Sequence, residues 1–267
     1  MEIAARTALL TGATGGLGRA IAQGLADAGA TLVLSGRREQ DLLALAASLP
    51  GDDHRVVVAD LAEDGAAEQL AEAAAGVDIL VANAGLPGAG WLAEFSAEEV
   101  KRALRVNLEA PMLLARALFP AMLESGSGAL VFVSSLSGKS PSPRTSIYNA
   151  TKFGLRGFAL GLRSDLGPRG IGVSLVSPGF VREAGMFAEA GADTPPMLGT
   201  TTPKAVAEAV RRAIVDDKVE ISVAPLLDRV AAHAGMVSPR ASVIAQSGAV
   251  GQRAAAAVTE AHSKDKR

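Results

Sequence analysis

Tyr148 and Lys152 stand four residues apart in the run TyrAsnAlaThrLys, so on a helix they share one face and the ammonium lies beside the phenol. A nearby cation favours phenolate and is expected to lower the tyrosine pKa from its usual value near 10, which makes Tyr148 a usable acid and base. In a reduction it would protonate a carbonyl oxygen as hydride reaches the carbon, and in the reverse direction it would take the alcohol proton. Ser135, 13 residues earlier, carries a hydroxyl able to hold the same oxygen by hydrogen bond. A Tyr/Lys pair at this spacing is also compatible with a plain surface contact, but Tyr148 is the only tyrosine in the chain.

A second constellation lies near the start. ThrGlyAlaThrGlyGlyLeuGly, from Thr11 through Gly12, Thr14, Gly15, Gly16 and Leu17 to Gly18, follows a strand-like run and leads into a plausible helix. Glycines there let the backbone turn tightly against a pyrophosphate, while the helix N-terminus offers N–H groups and a positive dipole end. No Lys-Ser/Thr pair follows the last glycine, so the loop is not of the Walker type. The next strand ends in SerGlyArgArg, where a dinucleotide fold places an acid for the ribose hydroxyls or an arginine for a 2′-phosphate. Gly36 removes the acid and Arg37 and Arg38 supply cations, which points to NADP(H), with NAD(H) the alternative and solvated arginines the bland reading. The positive charge of an oxidised nicotinamide would favour the Tyr148 phenolate further. Asp60 and Leu61 end the third strand, with Asp60 placed to contact adenine. Asn83, Ala84 and Gly85 end the fourth, where small residues permit close backbone approach to the cofactor.

The elements that must position these groups alternate strand and helix. Candidate strands are 7–11, 31–35, 55–60, 77–82, 129–134, 172–177 and 219–223, several apolar on both faces of the pleat, as in a parallel sheet covered on both sides. Helix-start signals stand at Ser96 with Glu99 three residues on, a capping box, and at Thr202 followed by Pro203. The pattern predicts a Rossmann-type, doubly wound, mostly parallel seven-stranded sheet with helices on both faces, forming one domain over 1–225. Residues 182–201 read as a lid over a site. Residues 226–267 read as a helical C-terminal extension, with Leu226, Leu227, Val230, Ala231 and Ala234 at helical spacing. That stripe is expected to pack on the domain or on a partner subunit, with contact to a membrane surface as the sharper alternative.

Composition narrows the function classes. The 267 residues are 49% hydrophobic and 20% charged, which excludes a disordered chain, and a net charge of -2 gives no global attraction to nucleic acid. No cysteine is present, and the 3 histidines are scattered, so no metal site is expected. No run of about 20 apolar residues suggests a bilayer span, and no leader precedes the first strand, so the cytoplasm is the expected location.

On these residues the chain resembles the short-chain dehydrogenase/reductase family from residue 7 to about 225. The glycine string fits both the shorter branch (Gly12, Gly16, Gly18) and the longer one (Gly12, Gly15, Gly18). The AsnAlaGly at 83–85, the distal motifs and the lack of a separate substrate domain favour the shorter, single-domain branch. Tyr148 and Lys152 look like the family's Tyr-x-x-x-Lys pair, and Ser135 stands where its catalytic serine does. The resemblance further implies that Lys152 binds the nicotinamide ribose, that Asn107 is a fourth catalytic residue holding a water in the proton path, and that Pro178, Gly179 and Val181 dock the nicotinamide amide. One departure is Glu183, where the family commonly has a threonine. The pocket wall is expected from Leu86, Pro87, Trp91, Pro141, Phe180, Met186, Phe187, Met197 and Leu198, mostly apolar, with Arg144 and Arg182 as candidate receivers of an anionic group.

These observations predict an NADP(H)-preferring oxidoreductase interconverting a lipophilic ketone or aldehyde and an alcohol. The rivals are 3-oxoacyl thioester reduction and a catalytically silent NADP(H)-binding sensor or scaffold. Helices at 96–124 and 145–165 have apolar positions, Leu155, Phe158, Ala159 and Leu162, expected to remain for pairing between subunits, and the resemblance implies a homodimer or homotetramer.

Overall fold

The computed structural model describes residues 1–182 and 199–248. Seven strands, β1 (Thr7–Thr11), β2 (Thr31–Gly36), β3 (Arg55–Val58), β4 (Ile79–Ala82), β5 (Gly128–Val133), β6 (Ile171–Pro178) and β9 (Glu220–Val223), form one sheet in the order β3-β2-β1-β4-β5-β6-β9. Every pairing in it is parallel. All seven strands expected from sequence are present, with ends displaced by up to two residues. The third stops at Val58 because Asp60 turns the chain, its carboxylate accepting from Ala62 N at 3.0 Å.

Successive residues of a strand point to opposite faces, and both faces are buried. Leu10, Leu34, Val81 and Val131 meet Ile21 and Leu25 of α1 (Gly16–Asp27) and Val206 and Val210 of α7 (Pro203–Val215). On the other face Leu9, Val33, Leu80 and Leu130 meet Leu70 of α3 (Ala66–Ala73), Leu114 of α5 (Ala110–Ser125) and Leu155 of α6 (Ser146–Leu166). This is the doubly wound arrangement. Strand order reverses between β1 and β4, so a crevice opens beyond their carboxyl ends.

Both helix-start signals hold. Ser96 Oγ accepts from Glu99 N at 3.2 Å while Glu99 accepts from Ser96 N at 2.8 Å, and Thr202 caps α7 by accepting from Ala205 N at 3.2 Å. The first of these starts a continuous helical run: α4 (Ala97–Leu104), a π-helical turn (Arg105–Glu109), then α5. Among the described residues this run alone is long and apolar enough to cross a membrane, by length and composition only. In the fold it is a core helix, with Val106, Leu114, Leu118 and Met122 packed under the sheet.

Two expectations about helix surfaces need correction. Leu155 and Ala159 of α6 are buried and not left over for a partner, while Phe158, edge-to-face on Phe132 at 5.6 Å, and Leu162 are packed against the same cluster and remain partly exposed. The large apolar side chains exposed along these helices are Leu104, Met112 and Phe153. The tail does form helices, α8 (Leu226–Val237) and α9 (Pro239–Ser247), but its large apolar stripe points outward. Leu226, Leu227 and Val230 are exposed, Leu227 at 82%, and the inward face is made of Ala232 and Gly235. A side chain at Gly235 would stand 2.9 Å from Ser242 Oγ and 3.1 Å from Ser140 Oγ, so smallness, not bulk, seats α8 on the domain. Just before the expected lid, β7 (Phe180–Val181) pairs with β8 (Thr200–Thr201) at the lid's far end. Glu183, Met186, Phe187, Met197, Leu198 and the charged C-terminal end fall outside the described residues.

Candidate active site

The glycine loop is built by crowding. Gly12 has φ +65, and a Cβ on it would stand 2.9 Å from Ala84 Cα; one on Gly18 would stand 2.1 Å from Gly12 O. Only hydrogen fits there. Thr11, almost wholly buried, ties β1 to the end of β4: its hydroxyl accepts from Asn83 N at 3.1 Å and Ala84 N at 3.0 Å. Asn83 Nδ2 donates back to Thr11 O at 3.1 Å and Gly12 O at 3.2 Å. Thr11 and Asn83 therefore shape the loop. Gly15 begins α1 with no side-chain cap and no acid in the first turn, an electrostatic setting suited to phosphate.

Arg37 is exposed at the mouth of the crevice, while Arg38 is shared between Asp41 and Thr14, donating to Thr14 Oγ1 at 3.4 Å. Of the two, Arg37 is the one whose fork is available for a 2′-phosphate. The glycine loop, both arginines, Asp60, Leu61, Asn83, Ala84, Gly85, Ser135, Tyr148, Lys152, Pro178, Gly179 and Val181 all line one cavity of about 630 Å³. The chain's groups fit a nicotinamide dinucleotide: an uncapped helix start for the pyrophosphate, a cation for the adenosine end, and the proton-handling trio at the far end.

That trio converges from two elements. Ser135 follows β5 in extended conformation and its hydroxyl accepts from Ser137 N at 3.1 Å. Tyr148 and Lys152 lie on one face of α6, as their spacing predicted, with Lys152 Nζ 5.6 Å from the phenol ring centroid. The ammonium is buried and donates to Val133 O at 3.0 Å. Gly138 makes this approach possible, because a Cβ there would stand 2.8 Å from Lys152 O.

Without cofactor, the electrostatics of the protein alone raise the Tyr148 phenol rather than lower it. Burial pushes Tyr148 up to about 12, and the Ser135 hydrogen bond only partly opposes it; burial also pushes Lys152 down to about 8. The lysine is near the ring but its charge does not dominate. Without cofactor, Tyr148 is therefore a protonated phenol at neutral pH. Because it is the sole tyrosine, an ultraviolet titration of the protein without cofactor is expected to show its phenolate only near pH 12. A midpoint at or below 10 would contradict the burial argument.

Of the candidate catalytic and cofactor-binding residues, Asn107 alone does not line the cavity. It sits in the π-helical turn, where its Oδ1 accepts from Leu86 N at 2.6 Å and its Nδ2 donates to Leu86 O at 2.9 Å and Thr151 Oγ1 at 3.4 Å. Its side chain is a clamp behind the Asn83–Leu86 segment. The substrate end also differs from expectation. Leu86, Pro87 and Phe180 line it, but Pro141 does not, and Trp91 is 58% exposed with the Arg144 guanidinium 5.0 Å over its ring. Sequence reasoning missed Gly88, Ala89, Ser140, Ser142 and Pro143, and the tail residues Asp228, Ala231, Ala232 and Gln246. The signal for the tail was the Ala232/Gly235 pair of small residues, obscured by the larger leucines. No group of metal-ligating side chains occurs among the described residues.

A doubly wound sheet, a dinucleotide cradle at its switch point and a Ser/Tyr/Lys trio beside it define an NAD(P)-dependent oxidoreductase. Residues 6–195 match the short chain dehydrogenase family, and the chain belongs to it. It is 35% identical over 224 residues to the ketoacyl reductase HetN of Nostoc sp., covering 82% of this chain and 78% of that one. Among solved structures it is similar to a short-chain dehydrogenase of Sphingobium yanoikuyae in complex with NADPH (TM-score 0.78, 30% identity, covering 90% of this chain and 95% of that one). It also resembles the bulky-bulky ketone specific alcohol dehydrogenase of Comamonas testosteroni (TM-score 0.75, 25% identity, covering 91% and 95%).

Proposed function

We propose that the protein is an NADP(H)-preferring carbonyl reductase acting on lipophilic ketones or aldehydes, reversibly with their alcohols. The observation that carries this is the single cavity joining Arg37 at one end to Ser135, Tyr148 and Lys152 at the other. The bound cofactor supplies or accepts the hydride. Ser135 holds the substrate oxygen and Tyr148 delivers the proton to it. Lys152, charged below about pH 8, binds the nicotinamide ribose, and Asn107 keeps the wall behind it in register. Its water-holding role is carried over from the family resemblance. Leu86, Pro87 and Phe180, with Ala231 and Ala232 from the tail, give the substrate end its apolar character.

A second reading, reduction of a 3-oxoacyl thioester, is favoured by the activity named for the Nostoc relative. NADPH consumption with a panel of ketones, aldehydes and 3-oxoacyl thioesters separates the two. Turnover of bulky ketones supports the first reading, and turnover confined to thioesters sinks it. Failure with every carbonyl, by a protein that binds NADPH, would favour a silent sensor or scaffold.

We further infer a homo-oligomer paired through α4–α6, whose exposed Leu104, Met112 and Phe153 supply apolar contact. Light scattering is expected to give a dimer or tetramer at micromolar concentration, and a monomer there would count against it. A cytoplasmic location fits an enzyme drawing on a soluble cofactor pool.

A further inference from the structure

Outside the trio, a part-buried cluster of charged groups gathers on Glu220. Glu220, at the start of β9, accepts from three directions. Lys139 Nζ stands 3.1 Å from Oε1, Ser177 Oγ donates to the same oxygen at 3.2 Å, and Arg156 reaches both oxygens, with Nη2 3.2 Å from Oε2. Lys139 is 1% exposed and also donates to Ser222 Oγ at 2.7 Å. The carboxylate's acceptor positions are thereby filled.

The origin of the three donors matters more than their number. Lys139 is four residues beyond Ser135, on the short turn that follows β5. Arg156 is one helical turn beyond Lys152, continuing the face of α6 that carries Tyr148. Ser177 immediately precedes Pro178 and Gly179 at the end of β6. Each spoke thus comes from a different segment of the candidate site. We propose that Glu220 is a positioning residue, whose carboxylate fixes the Ser135 turn, the Tyr148/Lys152 helix and the Pro178-Gly179 loop relative to one another.

Stability alone gives a poor reason for such a cluster. Burying Lys139 carries a desolvation cost, seen in burial pushing its pKa below the usual lysine range against the opposing pull of Glu220. Replacing a buried charge by an apolar side chain of similar volume is often neutral or stabilising, provided that no partner is stranded. In Lys139→Met, Glu220 keeps Arg156 and Ser177, so the carboxylate is not abandoned. A displacement of the Ser135 turn by about 1 Å, by contrast, can cost about 10²-fold in rate.

The inference rests on the carbonyl–alcohol reading, so the variants are assayed with the carbonyl substrate that the wild-type enzyme turns over fastest. Turnover is counted per NADPH site, titrated by cofactor fluorescence, so that a smaller folded fraction does not imitate a slower enzyme. Lys139→Met is expected to keep or raise the melting temperature, hold the NADPH Kd within about threefold and lower kcat per site by about tenfold or more. Arg156→Lys, which keeps the charge but loses the two-pronged contact, is expected to fall between it and wild type. Per-site kcat within twofold of wild type in both variants would overturn the proposal, as would a loss that vanishes when the assay is cooled well below the melting temperature. An inactive wild type that binds NADPH would instead contradict the reading of function.

Discussion

Tyr148→Phe is expected to lower turnover by about 10²–10⁴-fold while leaving NADPH affinity nearly unchanged. The substitution removes one hydroxyl from a ring that is half-buried at the cavity wall, and the Lys152 ammonium retains its bond to Val133 O. In the proposed reaction the lost group is the proton donor to the developing alkoxide, so the effect is expected on kcat and little on ground-state binding. Burial that raises the phenol to about 12 means that the proton is present throughout the physiological range, so carbonyl reduction should not weaken as pH rises from 6 to 9 on account of this group. Alcohol oxidation, which needs a proton acceptor, should speed up as pH rises. A thermal melt on the variant separates lost chemistry from lost folding.

The second large effect concerns the cofactor. Arg37→Asp is expected to weaken NADP(H) about tenfold or more relative to NAD(H), because a charge-assisted bond to phosphate contributes about 1.5–3 kcal/mol and the new carboxylate repels the same group. Arg38 is a poorer substitute, since Asp41 and Thr14 already share its guanidinium. Equal weakening of both cofactors in binding titrations would contradict the assignment of Arg37 to the 2′-phosphate.

The parts of this protein that were legible in sequence obey local rules. Parallel strands covered on both faces must be apolar at consecutive positions, and LeuLeu in β1 or IleLeuVal in β4 announces that without knowledge of partners. The Gly12–Gly18 loop was legible because crowding forbids a side chain at fixed spacing, and Tyr148 with Lys152 because four residues make one helical turn. What was not legible depends on distant contacts. The direction of the Tyr148 shift reflects its surroundings rather than the lysine one turn away. The Asn107 side chain spans from a helix to the backbone of Leu86, 21 residues earlier in sequence, a contact that no local pattern announces. The side of the tail that meets the domain was hidden because α8 is seated through the small Ala232 and Gly235, while its large apolar residues at helical spacing stay exposed. Lys139 and Glu220 are 81 residues apart, and nothing local connects them.

In the proposed reaction, hydride moves between the cofactor and a carbonyl carbon in the cavity beside Ser135 and Tyr148. The most direct measurement is mass spectrometry of the alcohol formed from an active ketone with NADPH carrying deuterium at the transferring C4 position. One deuterium on the carbinol carbon is expected with wild-type enzyme, and the same product at a strongly reduced rate with Tyr148→Phe. An unlabelled alcohol, or labelled product formed at the wild-type rate by a folded Tyr148→Phe variant, would contradict it.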